Sequence, residues 1–375
     1  MQSAHIFVFA FLLLSGRSLS LASPLVFVTS FGPGAKGAIH ACHLDATAGV
    51  LEAGRQVAQL PNPYYLALSP DRRFLYSICA DNFGSKEEEA IEAFRITDSE
   101  GSLQPLNRRS TRGSASCFLW IEPTGQTMLV ANYASSSIAS LPVHADGSLG
   151  EIVSFHRHVG KVFDPVRQGM PHPHAIIPSP DNRFALVPDL GLDRIAVYTL
   201  DVASSKLTPH EPPFVEAPQR SGPRHLVFHP NGHWLYVINE IANSVTRYDY
   251  HAARGTLTRR ETISTLPAGY DGRSNCADLR ITPDGRFLYA SNRTHDSIAC
   301  YTIAADGVLS LIEIRPSLGG MPQDLCITPD GRLLLCANMR GDNVAAFRID
   351  AHSGRLEPAG EPLPVHKPSC ILLLP

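Results

Sequence analysis

The 375-residue chain has no CxxC pair, no GxSxG elbow, no phosphate-binding P-loop and no dinucleotide fingerprint. Zinc-ribbon, thioredoxin-like, serine-hydrolase, kinase and dehydrogenase readings therefore lose their usual sequence support. Positive charge is not in excess either: 32 Lys and Arg stand against 35 Asp and Glu. Without a basic field to follow a phosphate backbone, no nucleic-acid partner is expected. The conspicuous apolar run, His5 to Leu14, is too short to cross a bilayer. Followed by Ser20 and Ala22, it reads as a cleavable secretion signal over residues 1–22, although no Lys or Arg precedes it. The alternative is an uncleaved amino terminus on a cytoplasmic protein. With cleavage, the expectation is a secreted or periplasmic domain over 23–375 that has no membrane contact and is a monomer or weak oligomer.

What is present is a core-forming composition, 44% hydrophobic, organised by a repeat. NPYYLALSPDRRFLYSI, HPHAIIPSPDNRFALVPD, GPRHLVFHPNGHWLYVINE and ADLRITPDGRFLYASNR share one plan, an apolar run, a corner built on Pro and Asp or Asn, and a second apolar run. Proline fixes φ and the following short polar side chain caps the turn, so the two runs read as paired strands. Six complete copies centre on Pro70, Pro123, Pro180, Pro230, Pro283 and Pro329, which are 46 to 57 residues apart. That interval suits a four-stranded propeller blade and not a helical solenoid. Pro368 and Pro375 repeat the seven-residue proline spacing of Pro63 and Pro70, which makes the tail the first strand of a seventh blade. Leu25 to Thr29, Ala38 to Leu44 and Val50 to Ala58 are expected to complete it. The fold class is thus all-β, a seven-bladed β-propeller closed by a blade of mixed amino- and carboxyl-terminal strands, leaving no open sheet edge.

Polar residues that interrupt the apolar phrases mark the channel. His172 and His174 sit beside prolines at the entry to an inner strand, Arg224 and His225 open the fourth phrase, and Glu240 and Arg293 follow matching second strands. The recurrent Asn132, Asn239, Asn292 and Asn338 read as amide braces for the loops between blades. Only His172 and His174 are close enough to suggest metal binding, and with a proline between them and no third ligand, neither metal nor cofactor is expected. The eight cysteines lie mostly in apolar strands, where a thiol acts as a small hydrophobe.

From about Leu25 to Pro375 these phrases resemble the lactonase family of seven-bladed propellers, which includes cycloisomerase-type 6-phosphogluconolactonases and the 3-carboxy-cis,cis-muconate lactonising enzyme. The resemblance implies a lactone hydrolase acting on a small anionic or sugar lactone, with His174, Glu240, Arg224 and Arg293 catalytic and His172, His225 and Gln323 lining the substrate. Gln323 stands where many relatives have arginine, which puts in doubt a substrate with a phosphate or several carboxylates. Opening a lactone needs a base for water and donors for the carbonyl oxygen. Glu240, tuned upward by burial, is the favoured base and His174 the proton donor, with the reverse assignment open. A carboxymuconate cycloisomerase and a non-enzymatic binding scaffold are the competing readings.

Overall fold

The computed structural model describes residues 24–162 and 164–374, so the signal reading of 1–22 lies outside the described residues. Seven antiparallel sheets follow one another around a central channel. The first runs outward from Leu66–Leu68 through Phe74–Cys79 and Ala90–Ile96 to Leu103–Ser110. Sheets opened by Ser116–Ile121, Ile177–Pro178, Pro223–Phe228, Asn275–Ile281 and Pro322–Ile327 repeat the order. In the seventh, Ile371–Leu374 is the inner strand and pairs with Leu25–Ser30, which pairs with Ala38–Asp45. Cys370 N–H donates to Thr29 Oγ1 at 2.9 Å and Thr29 N–H returns a bond to the Cys370 carbonyl at 3.1 Å, so the two chain ends are fastened as the proline echo implied.

The corner is specified by side chains as well as by proline. Ser69 donates to Asp71 at 2.6 Å and accepts the Phe74 amide at 3.0 Å; Thr282 with Asp284 and Thr328 with Asp330 repeat this bonding. Second strands such as Phe74–Cys79, Thr127–Asn132 and Phe184–Asp189 are buried along their whole length, because each lies between neighbouring blades. Blades are also clamped to one another. Tyr76, Tyr236 and Tyr289 donate to the carbonyls of Gly147, Gly307 and Gly354 in the next blade, at 2.7 to 2.9 Å. Gly147 turns at φ +88° directly on the Phe74 ring, where a Cβ would come within 2.1 Å, so only glycine fits.

The expected strand Val50 to Ala58 is two strands, Val50–Leu51 and Arg55–Gln59, both paired with Ala38–Asp45. The break falls at Gly54, whose backbone presses on Ala41 and Cys42. The asparagines act as braces: Asn292 joins the Thr265 carbonyl to Ser297, and Asn338 joins the Ser317 carbonyl to Asn343. All eight cysteines are free thiols.

Candidate active site

The residue six places before each central proline holds the equivalent place of the repeat in every blade. Around the ring these are Tyr64, Cys117, His174, Arg224, Ala277, Gln323 and Ser369. In the blades opened by Cys117, Arg224 and Gln323 the register against the second strand slips by one at this point. Such a bulge leaves one residue unpaired and re-aims its side chain. A companion position ten places after the proline, beyond the second strand, supplies Tyr133, Glu240 and Arg293.

Glu240 is the centre of the cluster. Its Oε2 accepts from Arg293 Nη2 at 2.7 Å and from Arg224 Nε at 3.1 Å, while Oε1 accepts from Arg167 Nη2. Burial alone would raise its pKa, as the sequence suggested. The guanidinium groups of Arg293, Arg224 and Arg167 overcome burial and hold it at about 2. Glu240 is therefore an ionised anchor for three cations and not the upward-tuned base that was expected.

Arg224 does not face solvent as an arginine at a strand start usually would; it is 1% exposed. Its Nη1 donates to the Ala277 carbonyl at 2.6 Å and to His225 Nε2 at 3.1 Å. His225 can accept there because its Nδ1–H is given to Asp278 at 2.9 Å. Burial, with Arg224 adding repulsion, lowers the His225 pKa to about 4, so the ring is neutral near pH 7. With both nitrogens occupied by protein groups, His225 positions Arg224 and has no nitrogen left for a substrate, contrary to the substrate-lining part the resemblance implied.

His174 is buried between the rings of Tyr133 and His225, each with its centroid 5.3 Å away. Burial first, then Arg224 and His225, push its pKa well below 6.5, and its Nδ1 has no hydrogen-bond partner among the described residues. It is held as a neutral imidazole. His172 turns aside: it stacks on Tyr133 at 4.1 Å and donates from Nδ1 to the Tyr133 carbonyl at 3.0 Å. Gln323 bridges the cluster to the first blade, accepting from Arg293 at 3.3 Å and donating to the Tyr64 hydroxyl at 2.8 Å.

One residue further along each inner strand, Tyr65, Phe118, His225, Asp278 and Asp324 close the channel beneath the cluster. Arg280 bridges Asp278 and Asp324, at 3.1 Å to each. Burial and the Asp278 charge push Asp324 up to about 7; against burial, Arg280 and His225 hold Asp278 low. Below lies an apolar cavity of about 410 Å³, walled by residues such as Leu119, Val227, Ile281 and Ile327 and touching none of the expected site residues. The chemistry-bearing end is the other one.

Sequence reasoning missed Arg167, Tyr64, Tyr133 and the Asp278–Arg280–Asp324 group. The repeat itself could have found Tyr64 and Tyr133, since they occupy the places of Arg224 and Glu240 in other blades. Arg167 lies outside any phrase.

Residues 25–373 match the family model described as lactonase, 7-bladed beta-propeller. The chain is 31% identical over 351 residues to the 6-phosphogluconolactonase of Bacillus subtilis strain 168, covering 93% of this chain and 97% of the relative. Among solved structures it is similar to a periplasmic gluconolactonase of Pseudomonas aeruginosa (TM-score 0.86, 30% identity, 94% and 99% coverage). A putative 6-phosphogluconolactonase of Bacteroides fragilis matches with TM-score 0.86, 28% identity, and 96% and 99% coverage.

Proposed function

Because the chain belongs to the lactonase family of seven-bladed β-propellers, we propose that it hydrolyses a sugar lactone of the gluconolactone type at the arginine-clamped end of its channel. The observation that carries this reading is the pairing of a neutral, buried His174 with guanidinium groups held in place by Glu240. Water attack on a ring carbonyl releases a proton and puts negative charge on oxygen. His174 receives the proton and returns it to the leaving ring oxygen. Nη2 of Arg224 makes no hydrogen bond to the described protein residues and is the donor for the oxyanion, while Nε and Nη1 are fixed by Glu240, Ala277 and His225. A donor already oriented stabilises the charge without reorganising at the moment of reaction.

The test offers purified protein gluconolactone, 6-phosphogluconolactone and 3-carboxy-cis,cis-muconate separately near pH 6.5, with spontaneous hydrolysis subtracted. Accelerated opening of a lactone supports the reading. Turnover of the muconate alone would make the protein a cycloisomerase, and turnover of none would leave a binding scaffold. Export fits the similarity to a protein described as periplasmic, and its test is a mass spectrum of extracytoplasmic material, in which a chain beginning after Ala22 is the expected result and an intact Met1 would refute it.

A further inference from the structure

The cluster contains more positive charge than Glu240 can balance. Three guanidinium groups converge on one carboxylate, and His174 and His225 are neutral beside it. The excess is not shared evenly. Arg224 and Arg293 are 1% and 13% exposed in their side chains, and their other hydrogen bonds go to the Ala277, Asn275 and Cys276 carbonyls, His225 and Gln323. The Arg167 side chain is 40% exposed, and among the described residues its one further side-chain hydrogen bond beyond Glu240 goes to the Asn275 side chain, from Nη1 at 3.1 Å.

Arg167 also arrives differently. It sits in residues 158–176, which link the second blade to the third, whereas the other links between consecutive sheets span 5 to 10 residues. The backbone around it is built firmly. Asp164 accepts the amides of Val166 and Arg167, and Gln168, 0% exposed, donates to the Leu190 carbonyl and to Asp193, both at 2.8 Å. A fixed backbone thus holds an exposed cation at the rim of the site.

We infer that Arg167 is the specificity residue of this site, exchanging Glu240 for an anionic substituent, phosphate or carboxylate, on the far end of the lactone. The exchange is available to Arg167 alone, because Glu240 keeps Arg224 and Arg293 when it leaves. This rests on the lactonase reading for the substrate's ring but not for the binding of the anion.

Calorimetry with the ring-opened acids separates the two. Gluconate, 6-phosphogluconate and glucarate carry one carboxylate, an added phosphate and an added carboxylate respectively. Wild type should bind one of the latter two at least tenfold more tightly than gluconate, and the stronger of them identifies the substituent. Arg167→Gln should remove roughly tenfold to a hundredfold of that preference, the range for a charged hydrogen bond, and Arg167→Lys should restore part of it. The ratio of kcat/KM between anionic and neutral lactones should fall with it. No preference in wild type, a preference that survives in Arg167→Gln, or equal losses on all three acids would overturn the inference. If binding follows the expected pattern while no lactone is turned over, the hydrolase reading falls and this one stands.

Discussion

Replacing Glu240 by Gln should destabilise the whole protein through charge alone. The substitution is nearly isosteric, but it leaves Arg224 and Arg293 converging in a buried place with no anion between them. A carboxyl whose pKa falls from 4.5 to about 2 on folding contributes about 3 kcal/mol at neutral pH. That agrees with the roughly 3–5 kcal/mol seen when one partner of a buried ion pair is removed. At about 2 cal/mol/K of unfolding entropy per residue over some 350 residues, a loss of about 3 kcal/mol lowers Tm by about 4 °C.

The sign of the pH dependence is fixed by the direction of the shift. A depressed carboxyl stabilises fully above its unfolded pKa of 4.5, and the contribution is lost as pH falls through the folded value of about 2. The gap between wild type and Glu240→Gln should be constant from pH 6 to 8 and narrow below pH 4.5. Differential scanning calorimetry across that range measures it. A variant melting within 1 °C of wild type at pH 7 would show that Glu240 does not hold the arginines in the folded protein, and its assignment as their anchor would be withdrawn.

Arg224→Gln should lower kcat/KM on a turned-over lactone by roughly a hundredfold or more, the usual cost of one preorganised donor, and unchanged turnover would strike Arg224 from the site. The rate should be nearly flat from pH 5.5 to 7.5 and fall only as pH drops toward 4, because His174 and His225 protonate below their ordinary range. A limb with its midpoint near 6.5 in a pH–rate profile would contradict their burial as neutral rings. Deleting residues 366–375 removes Ile371–Leu374 and the Thr29–Cys370 bonds and should lower and broaden the melting transition, whereas an unchanged curve would refute closure through the seventh blade.

The blades were legible because each is specified locally. In four of the six corners a hydroxyl, a proline and an aspartate within three residues set the turn between two apolar runs, and Glu122-Pro123 and Pro230-Asn231 stand in the other two. His174, Arg224, Glu240 and Arg293 were legible as breaks in that pattern. Their roles were not, because a pKa depends on which charges arrive from other blades. Glu240 is raised by its own burial and lowered by three arginines, of which Arg293 and Arg167 lie 53 and 73 residues away. Neither the inward turn of His225 nor the burial of Arg224 follows from strand alternation, since the register slip at Pro223–His225 breaks it. Arg167 had no pattern to break: the link that carries it has no counterpart in the other blades.

Closure and site are also one network. Ile371 N–H, in the strand that completes the ring, donates to Asp324 at 2.8 Å; Asp324 shares Arg280 with Asp278; Asp278 receives the Leu325 amide and His225; and His225 holds Arg224. Ser369, from the same tail, donates to the Tyr64 carbonyl, and the Tyr64 hydroxyl meets Gln323. Arg224 is thus linked through hydrogen bonds and ion pairs to groups from the fifth, sixth and seventh blades. Seven equivalent inner-strand positions let one backbone level hold very different side chains. The small ones are Cys117, Ala277 and Ser369, and the large ones are Tyr64, His174, Arg224 and Gln323. Tyr64, His174, Arg224 and Gln323 stand six residues before the corner that builds each blade, so the side chain there can vary apart from the corner, which is how a repeat made for packing can carry a reaction.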